Sequence, residues 1–235
     1  MIGYFVFGNR SSRDYALYIS GDGTYDAPER DYDEIEIPGR SGNLILDNHR
    51  YKNITVKYDA FIKDDFDVNF AGFRSYLLSC TGYKRLEDTY HPDEYRMALY
   101  KGPLQPDVGA FLREGSFTVE FNCKPQRFLK SGEKIHSFTE DGSLLNPTDF
   151  SSRPVIRVYG AGTFSIAGQL VTVAEHPYEY IDVDCEMMDA YYESNNANGY
   201  VRVWDTDFPV LYAGKNAVTV GECKKIQIIP RWWIL

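Results

Sequence analysis

The feature that most narrows what this chain can fold into is a two-residue alternation that recurs along it. In Ile54-Thr55-Val56-Lys57-Tyr58-Asp59-Ala60-Phe61, the apolar Ile54, Val56, Tyr58 and Ala60 fall on one side, and Thr55, Lys57 and Asp59 on the other. Successive side chains of a strand point to opposite faces, so this period belongs to a strand with one face in a core and one in water. It returns at residues 116–122, where Phe117, Val119 and Phe121 share a face, and at 31–37, where Tyr and Ile alternate with Asp and Glu. A chain written this way is mostly β.

Shorter aromatic-rich runs at residues 4–7, 15–19, 83–86 and 95–100 add strands to the first half. One segment breaks the period. Phe66, Phe70, Phe73 and Leu77 recur at helical spacing, which predicts one helix over about 66–78, capped by Asp64 or Asp65 and ended by Gly82. Its single apolar stripe must lie on a sheet, each side chain gaining roughly 1.5–3 kcal/mol by burial.

Between Lys124-Pro125-Gln126-Arg127 and Asn146-Pro147-Thr148 the chain is polar, broken by Gly and Pro, and lacks a period. Residues 1–130 are therefore expected as one domain with the helix, 131–153 as a linker, and 154–235 as a second domain. From Pro154 onward the pattern is β alone, with strand candidates at 155–159, 163–167, 181–187, 199–204, 216–220 and 226–229, the spacing of a β-sandwich. The chain closes Pro230-Arg231-Trp232-Trp233-Ile234-Leu235. Exposed, Trp232 and Trp233 would be sticky, so this tail is expected to pack on a domain or a neighbouring subunit.

Charge and composition exclude several classes. A net charge of −9 lacks the basic footprint of a nucleic-acid binder. No run reaches the ~20 apolar residues of a membrane helix, and residues 1–8 lack the basic and long apolar regions of a secretory signal, so neither membrane insertion nor export is expected. With 19 Tyr and 14 Phe the chain can bury a substantial core and has side chains suited to protein interfaces. Cys80, Cys123, Cys185 and Cys223 are far apart and read as small buried apolar residues in a reducing cytoplasm.

Catalytic patterns are sparse. There is no Gly-x-Ser-x-Gly elbow, no His-Glu-x-x-His and no phosphate-cradling Gly-Lys-Ser/Thr loop, and His49, His91, His136 and His176 are scattered. Asp182, Asp184 and Glu186 alternate with Ile181, Val183 and Cys185, so three carboxylates share one strand face. They could serve a glycosidase or bind calcium, but the alternation reads first as a solvated face. Tyr200, Arg202 and Trp204 share another face and could stack on a sugar ring. A carbohydrate-binding β-sandwich protein or a glycoside hydrolase is thus the alternative to a structural role. No catalytic residue, metal or cofactor is expected.

The most conspicuous loop is Pro38-Gly39-Arg40-Ser41-Gly42, between the alternating 31–37 run and the apolar Leu44-Ile45-Leu46. Proline ends the strand, the glycines allow a tight exposed turn, and Arg40 is held outward. This loop, the strand that follows, the 66–78 helix, Gly82-Tyr83-Lys84-Arg85-Leu86, and the 115–125 segment ending Cys123-Lys124-Pro125 occur in an order that resembles the siphophage distal tail protein (Dit) family. The second half continues the resemblance with Asn146-Pro147-Thr148, Ser152-Arg153-Pro154, Ile181-Asp182-Val183-Asp184-Cys185-Glu186, Phe208-Pro209-Val210-Leu211 and Gly214-Lys215-Asn216.

The resemblance implies an N-terminal β-rich ring-forming domain and a C-terminal galectin-like β-sandwich. It implies a homo-hexameric ring in the virion, assembled in the host cytoplasm, at the tip of a long non-contractile tail. That ring would join the tail tube protein to the tail-associated hub or lysin protein and to receptor-binding proteins. Residues 146–235 leave no room for the carbohydrate-binding insertions of some members, so glycan binding is not implied. Pro38, Gly39, Arg40, Ser41 and Gly42, with Trp204, Trp232 and Trp233, are the candidate interaction residues.

Overall fold

The computed structural model describes residues 2–108 and 114–235, and the chain divides into two compact units, one running to Arg127 and taking in Leu235, the other Phe128–Ile234.

The first unit contains strands β1 (Phe5–Phe7), β2 (Arg10–Ser11), β3 (Leu17–Ser20), β4 (Arg30–Ile35), β5 (Leu44–Tyr51), β6 (Ile54–Ile62), β7 (Lys84–Asp88), β8 (Glu94–Tyr100), β9 (Asp107–Val108) and, up to Arg127, β10 (Gly115–Leu129), with helix α1 (Phe66–Ser79) between β6 and β7. Its main sheet has the order β2-β1-β7-β8-β10-β6-β3. The two clearest alternating runs are cross-strand partners: Phe117 faces Ala60, Val119 faces Tyr58 and Phe121 faces Val56. Paired residues of an antiparallel ladder share a face, so both apolar sets enter one core. The sheet then curls closed, because Gly3 exchanges backbone hydrogen bonds with Ile19 at 2.8 and 2.9 Å.

Helix α1 lies where its stripe requires. Phe66, Phe70, Phe73 and Leu77 are all buried. Phe66 stacks on Phe70 with centroids 5.1 Å apart, and Phe70 meets Phe117 of β10 edge-on at 5.1 Å. The expected carboxylate cap is not made. Asp65 occupies the N-cap position in a left-handed conformation, φ 47°, and its side chain makes no capping hydrogen bond. The helix also stops before Gly82, at Cys80, whose N–H donates to the Leu77 carbonyl.

The second unit contains β11 (His136–Phe138), β12 (Gly142–Asn146), β13 (Val155–Tyr159), β14 (Gly162–Ile166), β15 (Gln169–Val173), β16 (Tyr180–Asp184), β17 (Asp189–Tyr192), β18 (Asn195–Asn196), β19 (Val201–Val203), β20 (Gly214–Thr219), β21 (Lys225–Ile229) and β22 (Trp233–Ile234). Two sheets, β11-β21-β13-β16-β17-β18 and β12-β20-β14-β15-β19, form a sandwich. Ile156, Val158, Ile181, Val183, Ile226 and Ile228 of one pack with Phe164, Ile166, Val171, Val173 and Val218 of the other. The polar stretch 131–153 carries the edge strands β11 and β12, which pair with β21 and β20. Short polar strands are common at sheet edges, where one side of the backbone stays in water.

Candidate functional site

Strands β4 and β5 pair only with each other. The hairpin holds the Pro38-Gly39-Arg40-Ser41-Gly42 loop at its tip, and all five residues are exposed. Gly39 and Gly42 have φ of 79° and 84°, angles that disfavour any side chain, and nothing lies within 4 Å of where a Cβ would sit. Backbone geometry fixes these glycines. The Arg40 N–H donates to the Ile37 carbonyl at 3.1 Å and tightens the turn.

The polar residues of the hairpin are matched across its strands. Arg30 Nη2 lies 2.6 Å from Asp47 Oδ2, Arg50 Nε 2.5 Å from Asp31 Oδ2, and Lys52 Nζ 3.0 Å from Glu29 Oε1. Hydrogen bonding from Arg30 holds the Asp47 carboxyl below its ordinary pKa. The large apolar residues have no such complement: Tyr32, Ile35, Leu44, Ile45 and Leu46 are 44–51% exposed. Ile35 pairs with Leu44, and Leu46 lies two residues further along β5, so these three share a face. An isolated two-stranded hairpin is marginal in water, and an aliphatic face on one calls for a covering partner. Sequence reading finds the loop but misses this face. The signal lay in Leu44-Ile45-Leu46 opposite the 31–37 run.

The carboxylate face expected to be solvated is not. Asp182 and Asp184 are 7% and 2% exposed, while Glu186 reaches solvent. Arg157 donates to both Asp182 oxygens at 2.7 and 2.8 Å, and Arg231 to both Asp184 oxygens at 2.8 Å. The N–H groups of Glu186 and Met187 also donate to Asp184 Oδ1. Burial acts to raise the Asp184 pKa, but these donors outweigh it and hold the carboxyl below its ordinary value. Two carboxylates each committed to an arginine are poor candidates for proton transfer.

Of the expected aromatic trio, Arg202 and Trp204 come together: the guanidinium carbon sits 3.8 Å from the Trp204 ring centroid, and the indole N–H donates to Thr172 Oγ1 at 2.8 Å. Tyr200 lies elsewhere, edge-on to Tyr178 at 5.9 Å. Trp232 is buried in the sandwich core; Trp233 stacks on Phe150 at 4.5 Å, its indole N–H donating to the Ser151 carbonyl. Among the described residues no group of three or more His, Cys, Asp or Glu could hold a metal, and all four cysteines are free thiols. Two buried asparagines brace turns that sequence reading left without a physical role. Asn146 Oδ1 accepts from the Thr148 N–H and Oγ1, and Asn216 Oδ1 accepts from the Tyr212 N–H while its amide donates to the Tyr212 carbonyl.

The first unit is thus a curled β-sheet bearing the β4–β5 hairpin, and the second is a β-sandwich. Over 99% of its length the chain superposes on the Dit protein (gp 19.1) of SPP1, described as a paradigm of the hub adsorption apparatus in phages infecting Gram-positive bacteria, with TM-score 0.75, 12% identity and 99% of that chain covered. It also superposes on a chain of the phage p2 baseplate in its activated, Sr-bound conformation, with TM-score 0.55, 8% identity and 97% of each chain covered. No protein-family model matches the sequence, and no curated protein matches it. At these identities the likeness is one of fold. The distal-tail resemblance read from the residues holds at that level, as does the mostly-β class with its one helix.

Proposed function

We propose that this chain is a structural subunit of a phage tail hub: a distal tail protein that closes a homo-hexameric ring in the virion. In that reading the ring joins the tube to the tail-tip hub and receptor-binding proteins. The observation that carries it is the fold likeness to SPP1 Dit over 99% of both chains. The exposed hairpin supports an assembling role, and the arginine-locked Asp182 and Asp184 favour a scaffold over a hydrolase. The apolar face of Ile35, Leu44 and Leu46, with Arg40 at the loop tip, is assigned to contact with an adjacent subunit or the hub.

Light scattering of the purified protein tests this. A six-subunit species is expected, alone or on mixing with a tail tube protein. The double variant Leu44→Ser, Leu46→Ser should remain monomeric with an unchanged melting temperature, because both side chains are exposed in the monomer. A protein that stays monomeric in both conditions would overturn the ring. Normal assembly of the double variant would remove the hairpin from it.

A further inference from the structure

The core face of the first unit's sheet carries a cation. Ala98 and Tyr100 of β8 are buried, so Arg96, two residues before Ala98, points to the same side. It pairs in register with buried Leu86 of β7. Arg96 makes no hydrogen bond or ion pair with any described residue, and burial lowers the pKa of its guanidinium from the ordinary value. A guanidinium drawn out of water calls for an acceptor.

Arg96 and Leu86 line a cavity of about 10 Å³ together with Tyr58, Asp88, His91 and Glu94. Asp88 is already satisfied. Tyr58 Oη donates to its Oδ2 at 2.7 Å, and the backbone N–H groups of Tyr90 and His91 donate to its Oδ1 at 2.9 and 2.8 Å. His91 and Glu94 are not. His91 Nδ1 lies 3.4 Å from Asp88 Oδ1, which places the ring proton there and leaves Nε2 as an acceptor, buried and without a partner in the protein. Glu94 Oε2 is buried too; Arg127 Nη1 stands 3.3 Å from it, near enough for an ion pair but not aligned as a hydrogen bond. Buried polar atoms are nearly always hydrogen-bonded, so two such acceptors and a lone guanidinium around one cavity mark a site.

Size and charge select the ligand. One water takes about 10–15 Å³, so no organic group fits. An anion would meet Asp88 and Glu94, and a cation would meet Arg96 and Arg127. A neutral molecule with two donors and free lone pairs suits all three groups. We infer that this cavity binds a single internal water, which donates to His91 Nε2 and Glu94 Oε2 and accepts from the Arg96 guanidinium. That water ties the β7–β8 turn to β8 and fixes the imidazole by its second nitrogen. The same imidazole supports the approach to the hairpin: the Tyr25 ring meets it edge-on at 5.5 Å, and a Cβ on Gly23 would lie 2.9 Å from its Cε1. The chain leading from β3 to β4 therefore rests on a ring whose orientation the water completes. The site lies within the first unit and stands whether or not a ring of subunits forms.

The test is a crystal structure of the full-length protein, with a count of long-lived waters in solution by oxygen-17 relaxation dispersion. A density peak about 2.7–3.2 Å from His91 Nε2, Glu94 Oε2 and an Arg96 nitrogen is expected, without anomalous signal after a bromide soak. Arg96→Met should lose one long-lived water, and Glu94→Gln, which keeps a carbonyl acceptor, should retain it. A cavity without density, a direct bond between His91 and Glu94, a bromide signal at the site, or an unchanged count in Arg96→Met overturns the assignment.

Discussion

Arg231 and Asp184 meet as a bidentate pair where the alternation along β16 reads as water-facing. The partners are 47 residues apart, and Arg157 and Asp182 are 25 apart. Nothing local distinguishes a carboxylate facing solvent from one facing an arginine delivered by a distant strand. The period of two is the same in both cases, so the strand is legible and its environment is not. The pair has a measurable consequence. Asp184→Asn leaves the Arg231 charge half-buried without its partner, which should cost about 3–5 kcal/mol in urea unfolding. Because the folded carboxyl lies below its ordinary value, its contribution is fully present above the unfolded pKa of about 3.9 and lost as pH falls through the folded value. Wild type and Asp184→Asn should therefore converge in stability at strongly acidic pH; parallel curves down to acid unfolding would show that the pair contributes nothing.

The same arginine belongs to a strap that shows why some elements were readable and others were not. Helix α1 and the β6–β10 rungs announce themselves because one side chain in two, or one in three or four, is a large apolar one. Strands β11 and β12 do not, since an edge strand needs few core side chains; in β12 only Leu144 and Asn146 are buried. The tail gives a composition signal without a position. Its place is set by backbone contacts: the Arg231 N–H donates to the Gly132 carbonyl at 2.8 Å, the Leu129 N–H to the Trp232 carbonyl at 2.9 Å, and Ser152 Oγ to the Pro230 carbonyl at 2.7 Å. Gly132 is required there, since a Cβ would lie 2.2 Å from the Trp232 nitrogen. Truncation after Pro230 removes a buried tryptophan and the Asp184 partner together, and should lower stability by at least about 3–5 kcal/mol, seen as a large drop in melting temperature. Gly132→Ala should shift it the same way by a smaller amount. An unchanged melting temperature after truncation would show that the tail is not part of the folded second unit.

At the scale of the molecule, the β class with its one helix and the resemblance to tail-hub proteins were legible, although identity to the SPP1 protein is only 12%. What survives at that distance is hydrophobic period, turn chemistry and connection order, which dictate a fold without dictating residues. Each unit has its own core, one built around Phe5, Phe73 and Phe121, the other around Ile156, Phe164 and Ile181. A fragment of residues 128–235 should accordingly fold alone and melt in one cooperative transition, followed by circular dichroism and by the emission of buried Trp232. A fragment lacking fixed near-ultraviolet signals would show that the sandwich needs the first unit to form.

The thiols described above have a practical consequence. Burial pushes the Cys123 thiol up to about 12 and the Cys223 thiol up to about 11, and it raises Cys185 further, so these three hold their protons at neutral pH. Cys80, just beyond α1, is the one cysteine that is not fully buried. All three tryptophans belong to the second unit and Cys80 to the first. The unaltered chain thus carries natural emitters in one half and a single addressable attachment point in the other. A dye on Cys80 therefore reports on the first unit while tryptophan emission reports on the second, with no engineered residue.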